Sequence, residues 1–410
     1  MPLAPGQCMP RPRIAFYAHD TMGLGHTRRN LALAEALLAS PLEPEVLLMG
    51  GARETGQLEV PDGADSIILP AIHKDGEGRY RARSLPVSID RLIRIRAATL
   101  HAALGAFRPD LLIVDQVARG ALGELEPILR GLRHRPTRTV LGLRDVQDEP
   151  MRIRTEWARL RTLDAIRAFY DEVWVYGDRA CFDPIAAYRI PADVAMRLRF
   201  TGFVARRPVP TTAPGAEVAA LLSWAGVHPL ALCLVGGGQD GMALGRCFLE
   251  AVPPGCRGIL VTGPFMPRED RATLARTTES DSRLRVVEFV RDLRPLLLRA
   301  RNVVAMAGYN TVCELLGAGQ RPLLVPRIRP REEQWVRARR LQRLGLADLL
   351  HPQSLHPQAL SAWLAGTPVP DATALARLDF GGLRRIVHLA SSVLDRPRRC
   401  PVEEAHAARA

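Results

Sequence analysis

Short apolar runs alternate along the chain with amphipathic stretches of roughly 10 to 18 residues, the lengths expected of strands and helices. A first series comprises Ile14–Ala18, Glu45–Met49, Ser66–Leu69, Leu111–Asp115, Thr139–Arg144 and Glu172–Tyr176. A second comprises Leu230–Val235, Gly258–Thr262, Arg285–Val290, Asn302–Ala307 and Pro322–Pro326. Runs that are apolar on both faces suit buried parallel strands, and the stretches between them suit right-handed helical crossovers. The pattern predicts an α/β protein in which one architecture occurs twice. The seam is Arg206-Arg207-Pro208-Val209-Pro210-Thr211-Thr212-Ala213-Pro214-Gly215, whose three prolines suit neither a helix interior nor a central strand. The expected division is an N-terminal domain over 1–205, a linker over 206–215, a second domain over 216–378, and a C-terminal helix and tail over 379–410. The amphipathic stretch from Phe380 to Leu394 is expected to pack on one domain or to cross to the other.

The length, 410 residues, exceeds what one ordinary core organises, which agrees with two domains. With 47% hydrophobic and 24% charged residues the chain is globular rather than disordered or fibrous. No apolar run reaches the roughly 18 to 20 residues of a membrane span, and the opening MPLAPGQCMPRPR has no apolar leader core. A cytoplasmic protein is expected, with peripheral contact at the inner membrane face as an additional expectation. The latter rests on Arg91, Arg94 and Arg96 interleaved with Leu92, Ile93 and Ile95, a pattern that an ordinary solvated helix also explains. Seven cysteines, none in a C-x-x-C pair, read as core residues rather than as disulfides or a zinc site. The net charge of +13 is almost all arginine, Lys74 being the sole lysine. Such a chain suits phosphorylated ligands or anionic lipid. Aromatic residues are only 5% and no basic run is interleaved with them, so nucleic acid is not expected as a partner.

Three strand-to-helix turns carry polar residues. The first reads His19-Asp20-Thr21-Met22-Gly23-Leu24-Gly25-His26. Its glycines, Gly23 and Gly25, let the backbone bend close to a ligand. His26 stands at the start of a helix, where the positive end of the dipole favours a neutral, base-competent ring. Arg28 stands where the third glycine of a dinucleotide fingerprint would be, so that fingerprint is absent. A base histidine needs a carboxylate on its other nitrogen. Asp115, at the end of an apolar run, is the preferred candidate; Asp20 and Asp145 are the others, and each also reads as an ordinary cap or turn residue. The second turn is Gly236-Gly237-Gly238-Gln239-Asp240-Gly241, whose main-chain N–H groups and following helix make an anion cradle without a P-loop lysine. The third runs Gly308-Tyr309-Asn310-Thr311 into a helix bearing Glu314 on the face of Asn310 and Thr311. A capping box explains Thr311 and Glu314 equally well. Glu332-Glu333-Gln334 opens a further helix.

On the segments AGYNTVCELLGAGQRPLLVP and EEQ, the chain resembles the GT-B glycosyltransferases, and among them family 28, which includes the peptidoglycan N-acetylglucosaminyl transferase. It also resembles predicted glycosyltransferases that share the opening GLGHTRRNLALAEAL. The resemblance spans both domains. It implies two Rossmann-like domains facing across a cleft. It also implies that Gly236, Gly237, Gly238, Gln239 and Gly241 lie near the donor diphosphate and that the Val290 backbone faces the nucleobase. Gly308, Asn310 and Thr311 become the phosphate-side turn, Glu314 the ribose carboxylate, Glu333 and Gln334 the pair facing the sugar, and Arg206 an arginine near the diphosphate. His26 becomes the base, with Asp115 behind it. The first loop departs from the peptidoglycan enzyme's pattern and resembles nucleotide-sugar hydrolases as well.

The expected function is therefore an inverting, metal-independent hexosyl transfer from a nucleotide-diphosphate sugar, a UDP-sugar by the resemblance, to an unidentified acceptor hydroxyl, a lipid-linked one being among the candidates. The donor is a co-substrate, so no cofactor is expected. An NDP-sugar hydrolase or epimerase on the same fold, and a non-catalytic nucleotide-sugar binder, are the alternatives.

Overall fold

The computed structural model describes residues 11–19, 25–51, 59–74, 79–205 and 214–397. Asp20, Gly23, Arg206 and most of the linker therefore lie outside the described residues, as do Cys8 and Cys400. In the N-terminal lobe the strands are β1 (Arg13–Ala18), β2 (Glu45–Gly50) and β3 (Ala64–Ile68), then a small antiparallel hairpin of β4 (Ile72–Lys74) and β5 (Tyr80–Ala82). They continue with β6 (Leu111–Asp115), β7 (Arg138–Arg144), β8 (Glu172–Tyr176) and β9 (Leu198–Gly202). The C-terminal lobe contributes β10 (Leu230–Leu234), β11 (Arg257–Val261), β12 (Leu284–Val287), β13 (Asn302–Ala305), β14 (Leu323–Leu324) and β15 (Asp348–Leu349).

Both main sheets are parallel. Their orders are β3-β2-β1-β6-β7-β8-β9 and β12-β11-β10-β13-β14-β15. Each order reverses once, between β1 and β6 and between β10 and β13. Loops leaving the carboxyl ends of such a pair diverge to opposite faces of the sheet and leave a crevice. The central strands are buried throughout because helices cover both faces: every residue of β6, β8 and β10 is inaccessible or nearly so.

Each of the eleven expected runs contains a strand. Four elements were not foreseen: the hairpin β4–β5, the two-residue β15 and the edge strand β9. The last alternates Leu198, Arg199, Phe200 and Thr201, a pattern with little of the continuous apolar character that marks its neighbours. The supposed strand Arg285–Val290 stops at Val287, which leaves Val290 in the loop beyond.

The final helix, Gly382–Leu394, returns from the C-terminal lobe and packs against helix Gly25–Leu38 and β9. Its approach is tight. A methyl group on Gly382 would stand 2.4 Å from the Phe203 carbonyl oxygen, so glycine is required there. Phe203 N–H donates to the Asp379 carbonyl (2.7 Å), and the Phe203 and Phe380 rings lie 5.6 Å apart.

The lobes also meet through charge. Arg337, on helix Glu333–Arg343, donates to Asp145 just beyond β7 (2.7 Å) and to the Ala307 carbonyl (2.9 Å). Both partners are 1% exposed. Arg340 donates to the Cys181 carbonyl at 2.6 Å and Arg331 to Glu156 at 3.0 Å, extending the contact outward. The Tyr309 ring lies beneath two guanidiniums, Arg29 from one lobe at 5.6 Å and Arg337 at 5.7 Å, both within cation–π range.

The expected membrane-facing row keeps Arg91, Arg94 and Ile95 exposed but is corrected at two positions. In helix Ile89–Phe107, Arg96 and Leu92 are both fully buried. Arg96 binds Glu124 through two hydrogen bonds (2.6 and 2.7 Å) and donates to the Pro70 carbonyl (2.7 Å), so it holds the lobe together rather than facing a bilayer. No described helix is long and apolar enough to cross a membrane. The cysteines at 181, 233, 247, 256 and 313 are free thiols.

Removing one partner of a buried pair strands the other charge. Arg337→Ala should therefore cost about 3–5 kcal/mol in denaturant unfolding, and adding Asp145→Leu should recover much of that loss. A single-variant cost under about 1 kcal/mol would contradict the importance assigned to this pair.

Candidate active site

The two strand-order reversals face each other across a single cleft of about 1830 Å³. Its N-terminal wall is set by β1 and β6. Ala18 pairs in register with Asp115, so the end of β6 lies directly beside the start of the loop that carries His19. Helix Gly25–Leu38 opens on the far side of that loop and turns His26 back toward Asp115.

His26 Nδ1 lies 2.7 Å from Asp115 Oδ2. Arg29 Nη2 lies 2.7 and 2.5 Å from the two oxygens of the same carboxylate and 3.0 Å from His26 Nδ1. Burial raises the cost of charge on Asp115, but Arg29 and His26 outweigh it and hold the carboxyl down at about 2. An ionised carboxylate only accepts, so Nδ1 carries the hydrogen and donates to it, and the arginine hydrogens also go to Asp115. Nε2 is then left as the acceptor. Asp115 itself is fully buried behind His26, which lines the cleft. His19 is a second imidazole, its ring 4.9 Å from that of His26. Burial and the neighbouring His26 push it well below the usual histidine range, so it is neutral.

The opposite wall comes from the C-terminal lobe. After β10 the chain turns through Gly236 (φ +64°) and Gly238 (φ +96°) before helix Met242–Ala251. A side chain at Gly238 would meet the Thr262 carbonyl at 2.1 Å, so the loop can be this tight only with glycine. After β13, Gly308 leads into helix Tyr309–Gly317. Gly236, Gly237, Gly238, Gln239, Val290, Gly308, Asn310, Thr311, Glu314, Glu333 and Gln334 all line the cleft, as do Gly25 and His26. Gly241 does not. It packs against the Val235 side chain behind the loop, where a Cβ would stand 2.6 Å away.

Two contacts bridge the walls directly. Asn310 Nδ2 donates to the Gly25 carbonyl at 2.9 Å, and Arg28 pairs with Glu314 at 3.2 Å while lying 5.9 Å from the Phe289 ring centre. Arg327 joins parts of the C-terminal wall by binding Glu333 (2.6 Å) and Asp240 (3.3 Å), and its N–H donates to Gln334 Oε1 (3.1 Å). Among the described residues no three His, Cys, Asp or Glu side chains cluster to hold a metal ion.

Sequence reasoning paired His26 with Asp115 but missed Arg29, His19, Arg327 and Arg144, which all take part in or line the cleft. The arginines had no signal of spacing, and His19 stood at the head of the first turn with nothing in its neighbours to mark a role.

No family model matches the chain. It is similar in part to the UDP-N-acetylglucosamine–N-acetylmuramyl-(pentapeptide) pyrophosphoryl-undecaprenol N-acetylglucosamine transferases of two bacteria. Identity is 26% over 151 residues with that of Sodalis glossinidius, covering 36% of this chain and 42% of that protein. With that of Syntrophotalea carbinolica it is 28% over 146 residues, covering 32% and 38%. The chain thus spans about two fifths of the length of these relatives. Among solved structures, the calicheamicin glycosyltransferase superposes with TM-score 0.63 at 15% identity, over 95% of this chain and all of that one. MurG of Acinetobacter baumannii gives 0.57 at 15% identity, over 93% and 99%. A Listeria monocytogenes protein assigned as a UDP-N-acetylglucosamine 2-epimerase gives 0.61 at 12% identity, over 95% and 99%.

Asp115 has a folded value near 2, below its ordinary 3.8. Its charge therefore adds stability above about pH 4, on the order of 2 kcal/mol, which is lost as pH falls through about 2. The stability gap between the natural chain and Asp115→Asn, read by denaturant unfolding, should be largest near neutrality and shrink toward pH 2. A gap independent of pH would contradict the ionised state.

With its paired parallel sheets meeting at their strand-order reversals, and full-length superposition on glycosyltransferases of that architecture, the chain has the GT-B fold.

Proposed function

We propose that this chain is an inverting glycosyltransferase that moves a hexosyl group from a UDP-sugar to an acceptor hydroxyl without a metal ion. One observation carries the reading: His26, its Nδ1 engaged by ionised Asp115, faces across one cleft the glycine loop and the Asn310–Glu314 helix start. The partial matches to UDP-N-acetylglucosamine transferases support the donor class. A lipid-linked acceptor, met at the membrane surface, belongs to the same proposal.

In this reading the diphosphate lies against the main-chain N–H groups of Gly236–Gly238 and the helix start at Asn310–Thr311. Glu314 accepts from the ribose hydroxyls, the Val290 backbone meets the base, and Glu333 with Gln334 faces the sugar. The acceptor hydroxyl enters from the N-terminal wall and gives its proton to His26 Nε2 as its oxygen bonds to the anomeric carbon. The bond from that carbon to the diphosphate oxygen breaks on the opposite face, and one displacement inverts the centre. Asp115 stabilises the imidazolium that forms, as the aspartate of a catalytic triad does. Fixed N–H dipoles and helix starts offset the charge on the departing diphosphate, the role a divalent ion has in other transferases.

The likeness to an epimerase fold supports a second reading, in which the sugar is hydrolysed or epimerised rather than transferred. Nuclear magnetic resonance of the products separates the readings: a new glycoside with inverted anomeric configuration supports transfer, whereas free sugar or a C2 epimer without acceptor supports the second.

His26→Ala should lower UDP release by about 100-fold or more while leaving UDP affinity unchanged; a fully active variant would remove His26 as the base. Glu314→Ala should weaken UDP binding by roughly 1 to 3 kcal/mol in calorimetric titration, through loss of charge-assisted hydrogen bonds. Unchanged affinity would dismiss the ribose role.

A further inference from the structure

Arg144 ends β7 on the N-terminal wall and lines the cleft. Its backbone is held by amides: the N–H donates to Gln116 Oε1 (3.4 Å) and the carbonyl accepts from Gln147 Nε2 (2.6 Å). Among the described residues no partner holds its guanidinium. Nε is buried without a hydrogen-bond partner, and the side chain forms no ion pair with any described residue.

The nearby carboxylates each hold another arginine, although Glu333 Oε2 is left buried without a hydrogen-bond partner. Asp115 binds Arg29, Asp145 binds Arg337 and Glu333 binds Arg327. Arg327 takes Asp240 as well, so four guanidiniums stand against four carboxylates, yet none of the four is bonded to Arg144. Burial pulls the Arg144 guanidinium down to about 10, and Glu333 is the carboxylate that most supports its charge. A cation kept partly out of water without a partner is costly unless an anion arrives with the ligand.

Its position says where that anion would be. Arg337 follows Glu333 by four residues on one helix, so the two share a face. Arg337 binds Asp145, the residue next to Arg144. Glu333, the carboxylate whose charge acts most on Arg144, opens that helix, so Arg144 lies near the helix start on the cleft lining.

We propose that Arg144 forms an anion subsite separate from the diphosphate cradle, taking a carboxylate or phosphate borne by the transferred sugar or by the acceptor. The assignment of this end of the cleft to sugar and acceptor rests on the donor reading above.

The test uses the full chain and calorimetric titration at low salt, comparing the natural protein with Arg144→Gln and Arg144→Lys. UDP should bind the natural protein and Arg144→Gln within about twofold of each other, which also shows that the variant is folded. If the sugar carries the anion, UDP-glucuronate should bind the natural protein about tenfold more tightly than UDP-glucose. That preference should vanish in Arg144→Gln and partly return in Arg144→Lys. If the acceptor carries it, UDP-glucuronate should have no advantage, but inorganic phosphate titrated with saturating UDP should bind the natural protein at least about fivefold more tightly than Arg144→Gln. Either result supports the subsite and identifies its source. Absence of both overturns it, as does a loss of UDP affinity in Arg144→Gln as large as the loss of UDP-glucuronate affinity. Failure of UDP to bind the natural protein would instead sink the donor reading, and phosphate titrated without UDP would still decide whether Arg144 holds an anion.

Discussion

The site depends on one buried ion pair. Arg337 and Asp145 come from different lobes, are nearly inaccessible, and join through hydrogen bonds that also fasten the Ala307 carbonyl. Their desolvation is offset only while both are present. Two consequences follow from where they sit. Asp145 adjoins the last residue of β7, and Arg337 lies one turn beyond Glu333, so the pair sets the separation of the two cleft walls. Through Tyr309, whose ring lies beneath both Arg337 and Arg29, the interface also reaches Asp115 and His26. The His26 imidazole and the turn at Gly308–Thr311 are thus positioned by one connected set of charges and rings.

Asp115 shows how that set tunes chemistry. Behind the imidazole, Arg29 takes hydrogen-bonding capacity on both carboxylate oxygens. The arginine keeps Asp115 ionised and fixes its orientation, and this in turn fixes which His26 nitrogen carries the hydrogen. His19 beside it is neutral and adds no competing charge.

Much of this was legible in the sequence because buried parallel strands announce themselves as continuous apolar runs, and the polar residues that end them stand out. Asp115 was found in that way, at the end of Leu111–Val114. The glycine loop and Asn310–Glu314 were found likewise. The edge strand β9 escaped because solvent on one side permits Arg199 within it. The supporting arginines escaped for a different reason. In a chain this rich in arginine, Arg29, Arg144, Arg327 and Arg337 look like dozens of others, and only tertiary geometry separates those that hold carboxylates from those that coat the surface. Arg96 misled in the opposite sense, since its neighbours suggested an outward face while Glu124, 28 residues away, draws it inside.

The return of the last helix to the first lobe has a mechanical meaning. The chain leaves the first lobe after Ala205 and returns to it near Asp379, and the described residues at these two points lie side by side, as the Phe203–Asp379 hydrogen bond attests. Both lie at the β9 margin, with the β2–β3 margin at the opposite side of the sheet. The charged connections between the lobes grade across that span: deep Arg337–Asp145 at the root, partly wetted Arg28–Glu314 farther out, and solvent-bathed Arg291–Glu59 at the rim. Water thus competes least for the ion pair at the root and most for the one at the rim.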